Sequence, residues 1–163
     1  MTPAIGIPAP VLLTLLLALA LAIVPIPDAA APARPEWLVL TLIYWTMAFP
    51  QRIGIFTAFA AGLLLDTLQG QLLGQNAVAL AVVAYITLQL HPRLRVFPVW
   101  QQMLVVALLI ALFKLLALWP QGATGLPPGS AWYWAPVATS ALIWPLIFWL
   151  LRDVRRRWLL HLM

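Results

Sequence analysis

Residues 98–119 read PVWQQMLVVALLIALFKLLALW and contain a single charged side chain, Lys114. A helix that crosses a bilayer needs about 20 mostly apolar residues, because each residue adds about 1.5 Å and the hydrocarbon core is about 30 Å thick. The stretch therefore predicts a transmembrane helix. Comparable apolar stretches lie on both sides of it, and the full set of predicted spans is 8–24, 36–50, 53–69, 74–91, 98–119 and 132–151.

The composition favours the same fold class. Apolar residues make up 64% of the 163 residues and charged residues 8%, with a mean hydropathy of +1.00, whereas a soluble domain carries about 25% charged residues. A soluble fold of this size has no means of hiding so much apolar surface from water. We predict an all-α membrane protein in which residues 1–163 form one integral membrane domain, a compact bundle of about six transmembrane helices.

The charge balance has two explanations. Nine Lys and Arg residues against four Asp and Glu give a net charge of +5. In a soluble protein this excess would point to nucleic acid, but here the basic residues fall at the ends of the spans, where they orient membrane proteins. We therefore predict contact with membrane lipids and no nucleic-acid binding. The chain has no cysteine, which excludes disulfides and thiolate metal sites.

The basic residues also predict the orientation. Loops rich in Lys and Arg stay in the cytoplasm, and the connection 120–131 has no charge. Residues 91–97 and both chain ends are then inside, and Arg34 alone disagrees. The segment 152–163 is predicted to be a basic cytoplasmic tail, either a plain stop signal or a helix on anionic lipid headgroups. The residues assigned to orientation and headgroup contact are Arg52, Arg93, Arg95, Arg152, Arg155, Arg156 and Arg157.

The first span has an alternative explanation. Residues 8–24, followed by small residues at 29–31, resemble a signal peptide with a cleavage site. No Lys or Arg precedes the apolar stretch, which is unlike a signal peptide. We therefore favour a retained helix, and the other spans do not depend on this choice.

Small residues and one acid recur at four-residue intervals in the middle of the chain, in the order Ala58, Gly62, Asp66, Gly70 and Gly74. The first three lie on one stripe of a helix, and small residues at this spacing let helices approach closely. We expect a packing seam at 58–66. The two later glycines are expected to shape the turn before the next span.

Two ionisable residues, Asp66 and Lys114, fall in the interior of predicted spans rather than at their ends. Each costs about 2.5–3.5 kcal/mol at a bilayer centre on insertion scales. Both lie near the predicted outer side, so they are at similar depth, and an ion pair between them is one hypothesis. The alternative, which we favour, is that Lys114 extends to the interface while Asp66 caps a helix or lines a polar notch.

Residues that could serve catalysis are scarce. The two histidines, His91 and His161, fall near span ends, and no nucleophile elbow, zinc-binding helix motif or phosphate-binding loop is present. We predict no enzymatic activity, no cofactor and no metal. The aromatic run Trp132, Tyr133 and Trp134 is the candidate for partner contact, because aromatic side chains are enriched at binding hot spots. The alternative is an ordinary interfacial aromatic belt.

An ordered series of short motifs runs from about residue 25 to the C-terminus. It comprises RPEW at 34–37, LIYW at 42–45, PQR at 50–52, GLLLD at 62–66, Gly70, LG at 73–74, AY at 84–85, WQQ at 100–102, WP at 144–145 and RDVR at 152–155. This series resembles the bacterial rod shape-determining protein family MreD, of the proteobacterial type. Lys114 matches no motif of the family.

The resemblance implies a scaffold of the cell-wall elongation machinery in the bacterial inner membrane. Proteins of this family act with MreC, a bitopic partner with a large periplasmic part. The wider assembly contains MreB, RodZ, RodA and its partner transpeptidase. The resemblance carries no catalytic residues, and it implies a bundle similar to the substrate-binding subunits of ECF vitamin transporters.

That similarity provides the rival function, a small-molecule-binding membrane subunit or transporter component. Such a subunit would need a polar cavity that opens outward. The candidates for its lining are Asp66, Gln69, Gln71, Gln75 and Asn76. We favour the interpretation that these residues solvate a loop.

Overall fold

The computed structural model describes residues 6–30, 33–119 and 131–162, and within these ranges the regular structure is helical. The prediction of an all-α membrane protein is confirmed. A 3-10 turn at Ala131–Trp134 precedes the last helix. The six α-helices are α1 (Ala9–Ile23), α2 (Trp37–Ala48), α3 (Ile55–Gln69), α4 (Gln75–Leu94), α5 (Val99–Leu116) and α6 (Ala135–His161).

Three of these helices are long and apolar enough to cross a membrane, namely α4, α5 and α6. The others have 15, 12 and 15 residues. A helix of twelve residues is about 18 Å long, which is less than the thickness of the hydrocarbon core. The count of six spans and the orientation therefore stay predictions.

The helix α2 lies at the centre of the bundle and contacts α1, α4, α5 and α6. Ten of its twelve residues, 38–47, are buried. A helix that is apolar on all sides is stable only when neighbours surround it, which explains why α2 shows no polar face. Trp45, one of its two tryptophans, is fully buried and donates from Nε1 to Thr14 Oγ1 of α1 at 2.8 Å.

The helix α6 continues well beyond the predicted end of its span at residue 151. The basic segment is part of this 27-residue helix as far as His161, whereas its contact with lipid headgroups and its place in the cytoplasm stay predictions. Asp153 and Arg157, four residues apart, form an exposed ion pair at 2.8 Å. Such a pair on one face adds a few tenths of a kcal/mol to a helix.

The helices α3 and α4 form a tight hairpin. A Cβ added at Gly62 would lie 2.4 Å from Ala77 Cα, and Ala58 and Asp66 on the same stripe are fully buried. The turn between the helices holds Gly70 and Gly74, with φ of 65° and 96°. Glycine adopts these left-handed conformations without the steric cost that other residues pay. The small-residue stripe thus lies against the first turn of α4.

Substituting Gly62 with alanine is expected to destabilise the hairpin. The new methyl group would overlap the backbone of α4, and overpacking of this kind costs about 1–3 kcal/mol. Thermal unfolding in detergent measures the loss. Gly54→Ala is the matched control, because its Cβ would lie at an ordinary 3.7 Å from Leu88 Cδ1. Equal melting temperatures for Gly62→Ala and Gly54→Ala would contradict the close approach.

Candidate functional site

The carboxylate of Asp66 is fully buried and binds the start of the next helix. Oδ1 accepts the backbone N–H of Asn76 at 3.0 Å, and Oδ2 accepts those of Gly74 at 3.0 Å and Ala77 at 3.4 Å. These are N–H groups that the first turn of a helix leaves without intrahelical partners, and a negative charge there is favoured by the helix dipole. Asp66 therefore caps α4 from the end of α3.

Lys114 does not pair with Asp66, so that hypothesis is wrong. Its Nζ lies 3.1 Å from Glu36 Oε1 and 4.2 Å from the centre of the Tyr133 ring. The Tyr133 hydroxyl donates to the Lys114 carbonyl at 2.7 Å. Glu36 was not expected as the partner because it stands at the first position of the predicted span 36–50 and not in its interior.

The same cluster reaches α6 through Ser140. The backbone N–H of Glu36 donates to Ser140 Oγ at 3.0 Å, and Ser140 is fully buried. The start of α2, the end of α5, the 3-10 turn and the first turns of α6 thus converge on one ion pair. We call Glu36, Lys114, Tyr133 and Ser140 the polar-end cluster. Its bonds link elements that are distant in sequence.

A cavity of about 220 Å³ lies beside the polar-end cluster. Of the five residues proposed as an outward polar lining, Gln69, Gln71, Gln75 and Asn76 contribute to it and Asp66 does not. Three of the amides, those of Gln71, Gln75 and Asn76, are already bonded within the protein. Gln75 Nε2 donates to the Ala117 carbonyl at 2.8 Å, and Asn76 Nδ2 donates to Gln71 Oε1 at 2.7 Å.

The aromatic run has divided roles in the structure. The side chain of Trp132 lies outside the described part. The Tyr133 ring faces Lys114 and meets Trp134 edge-to-face at 5.5 Å between ring centres. Trp134 is 38% exposed, so of the two described members it is the one whose ring is open to lipid or to a partner.

The opposite end of the bundle collects the basic residues. Arg95 lines one cavity with Arg152, Arg155 and Arg156, and a second cavity with Arg52. Both lie around the end of α2, one helix length from Glu36. Arg93 is exposed at the end of α4. We call this end of the bundle the basic end. Its arginines are the ones that the charge pattern predicts to face the cytoplasm.

Arg34 has a local reason for its position at the other end. Its guanidinium donates to the carbonyls of Ala22 and Val24, at the C-terminus of α1, where carbonyls lack intrahelical partners. Basic side chains near a helix C-terminus form such bonds and are favoured by the helix dipole. This cap accounts for the one arginine that departs from the charge pattern.

The comparison with known families adds the decisive observation. The family model described as rod shape-determining protein MreD matches residues 7–154. The chain belongs to the MreD family. A relative named rod shape-determining protein MreD, from Haemophilus influenzae, is 33% identical over 131 residues, which is 78% of this chain and 79% of the relative. No solved structure matches the chain.

Membership of the MreD family confirms the resemblance and places the chain among membrane proteins involved in rod shape determination. A shape-determining family is not a known enzyme family. In the ranges that the structure describes, no group of three His, Asp or Glu side chains is placed to hold a metal ion. The ECF-like arrangement of the helices stays a prediction.

Sequence reasoning missed three residues that the structure brings to the two ends of this MreD-family chain. Glu36 and Ser140 complete the polar-end cluster, and Tyr44 lines the larger basic cavity. The signal for Glu36 was its place in the RPEW motif beside Arg34. Tyr44 and Ser140 lie within apolar spans, and nothing in the spacing distinguished them from packing residues.

Proposed function

We propose that this protein is a non-enzymatic scaffold of the bacterial inner membrane that binds MreC and helps organise cell-wall elongation in rod-shaped cells. The observation that carries the proposal is the MreD family match over residues 7–154. MreB, RodZ, RodA and its transpeptidase belong to the same wider assembly, and in this proposal the chain is connected to them through MreC.

The distribution of polar groups supports a scaffold rather than a catalyst. The charged groups inside the bundle are engaged with the protein itself, Asp66 with three backbone N–H groups and Lys114 with Glu36. Acid–base or nucleophilic catalysis needs such groups to be within reach of a substrate. Here they stabilise the ends of helices.

The outer surfaces of the helices leave large apolar side chains open to lipid or to a partner in the bilayer. Leu108 on α5 and Leu142 and Trp149 on α6 are 71%, 72% and 71% exposed. Lipid tails are as apolar as these side chains, so a partner helix would be selected by close packing rather than by hydrophobic burial. A bitopic protein such as MreC presents one helix of this kind.

Purification from the native membrane tests the proposal. We expect an affinity-tagged chain to retain MreC in a near-stoichiometric amount, measured by quantitative mass spectrometry of the gently solubilised complex. An unrelated multi-span protein with the same tag and a similar yield is the control. Recovery of a bound vitamin-like ligand with no MreC would contradict the scaffold and favour the rival function.

That rival, a small-molecule-binding subunit, is favoured by one observation, the cavity beside the polar-end cluster. Its volume of about 220 Å³ is below the range of about 300–1,000 Å³ that is typical of ligand pockets. Two of its four candidate amides are already donating to protein oxygens. The scaffold is therefore the better-supported function.

A further inference from the structure

A cavity of about 590 Å³ opens at the basic end, between the end of α2 and the last turns of α6. Four arginines line it, Arg95, Arg152, Arg155 and Arg156, and no acidic residue does. The one acid nearby in sequence, Asp153, is 55% exposed and pairs with Arg157. The cavity therefore gathers positive charge between helices, with Arg155 half-buried and Arg95, Arg152 and Arg156 exposed.

The protein leaves most of that charge uncompensated. Arg95 donates to the carbonyls of Met47 and Ala48 at the end of α2, at 2.6–3.1 Å, but these acceptors are neutral. Within the described ranges, Arg152, Arg155 and Arg156 have no carboxylate within ion-pair distance. Like charges that line one cavity repel one another, so the arrangement favours an anion among them.

A buried hydroxyl provides an independent observation. Tyr44 lines the cavity and is 2% exposed, yet its Oη has no hydrogen-bond partner in the described protein. The other polar wall residue, Gln102, is fully used, since its side chain bonds Trp144, Leu94 and Phe97. Buried hydroxyls without partners are rare, because leaving one unpaired costs about 1–3 kcal/mol. The Tyr44 hydroxyl is thus a donor available to a ligand.

Donors of this kind indicate the class of ligand. Guanidinium groups bind phosphate oxygens through paired, charge-assisted hydrogen bonds, and the Arg155 guanidinium lies 6.0 Å from the centre of the Tyr44 ring. The remaining walls are apolar and include Phe148 and Leu159. A ligand that is anionic at one end and apolar at the other matches this lining.

We propose that this cavity binds the phosphate of an anionic phospholipid headgroup. Basic pockets between membrane helices on the cytoplasmic side hold headgroups of this type, and the positive charge of this end predicts that it faces the cytoplasm. The phosphate lies among Arg152, Arg155 and Arg156, with the Tyr44 hydroxyl donating to one of its oxygens. The acyl chains lie along α6 in the surrounding leaflet. A free phosphate ion would use the same donors without needing the apolar walls.

Lipid retention measured by native mass spectrometry tests the proposal. The purified protein is titrated in neutral detergent with phosphatidylglycerol, phosphatidylcholine or inorganic phosphate. We expect phosphatidylglycerol to bind at least about tenfold more tightly than phosphatidylcholine, because both lipids carry a phosphate but the choline ammonium of phosphatidylcholine is repelled by the arginines. Equal binding of both lipids would overturn the proposal. If inorganic phosphate bound as tightly as phosphatidylglycerol at the same concentration, the ligand would be free phosphate. The proposal of a lipid ligand would then be overturned.

Matched variants locate the site. Arg155→Gln is expected to lower phosphatidylglycerol affinity about tenfold, and Arg155→Lys to restore part of it. Arg157→Gln removes the same charge from the same helix, but its side chain is 76% exposed and lies outside the cavity, so it should bind as wild type. If Arg155→Gln and Arg157→Gln lowered phosphatidylglycerol affinity equally, general surface charge would explain the binding. The proposed site would then be overturned.

Tyr44→Phe separates binding from folding. It removes only the hydroxyl, so we expect weaker phosphatidylglycerol retention with an unchanged or higher melting temperature in neutral detergent. If Tyr44→Phe retained phosphatidylglycerol as well as the wild type does, the Tyr44 hydroxyl would not be a ligand donor. MreC recovery is measured on the same variants. Loss of lipid with full MreC recovery would leave the scaffold function intact. Loss of MreC with full lipid retention would leave the lipid site intact.

Discussion

Asp66→Ala is expected to lower the free energy of unfolding by about 3 kcal/mol or more, the largest single effect at any charged position in the bundle. The substitution leaves three backbone N–H groups of α4 without an acceptor in a fully buried site. Loss of a cap costs about 0.5–2 kcal/mol, and each buried donor left unpaired adds about 1–3 kcal/mol before relaxation. Thermal and denaturant unfolding in detergent measure the change.

Asp66→Asn is the milder variant. It keeps one carbonyl oxygen but loses the charge that the helix dipole favours, so we expect a smaller loss of about 1–2 kcal/mol together with reduced partner recovery. Asp153→Asn is the control, since it removes an exposed carboxylate whose pair contributes little. A fully stable, fully partnered Asp66→Asn protein that had lost only ligand uptake would contradict the capping role and favour transport.

The ion pair between Lys114 and Glu36 is expected to show the second largest effect. Lys114→Met leaves the Glu36 carboxylate unpaired, and Glu36→Gln leaves the Lys114 ammonium unpaired. The side chains of Lys114 and Glu36 are only 14% and 23% exposed. Breaking a fully buried pair costs about 3–5 kcal/mol, so for this partly exposed pair we expect about 1–3 kcal/mol from either change. The double variant should lose less than the sum.

A double-mutant cycle on unfolding measures this coupling. The exposed pair of Asp153 and Arg157 is the matched control, because its side chains are 55% and 76% exposed and its coupling should be about 0.3–0.5 kcal/mol. Strictly additive effects of Lys114→Met and Glu36→Gln would contradict a functional pair and leave Lys114 as an interfacial side chain.

The helices were predictable because their apolar length and their breakers are local properties. The predicted span 53–69 became Ile55–Gln69, and 98–119 became Val99–Leu116, since Gly54 and Pro98 mark the starts. The end of α6 was less predictable. Its alternating basic and apolar residues are typical of both a stop signal and a helix, and the structure continues the helix to His161.

The two ends of the bundle were harder to predict because they depend on how each helix is rotated about its own axis. Sequence placed Arg95 and Arg155 near span ends but not at one cavity. It placed Asp66 and Lys114 at similar depth but did not identify their partners. Asp66 accepts backbone N–H groups at the start of α4, and Lys114 pairs with Glu36. Depth follows from counting residues, whereas rotation is set by side-chain packing among helices that are distant in sequence.

We propose that the chain recognises MreC within the bilayer, and a binding measurement with MreC fragments tests this recognition. The purified protein in nanodiscs is mixed with labelled MreC fragments, either the transmembrane segment alone or the periplasmic part alone, and binding is followed by fluorescence. We expect saturable binding of the transmembrane segment and much weaker binding of the periplasmic part. Binding of the periplasmic part alone, with none by the transmembrane segment, would contradict it.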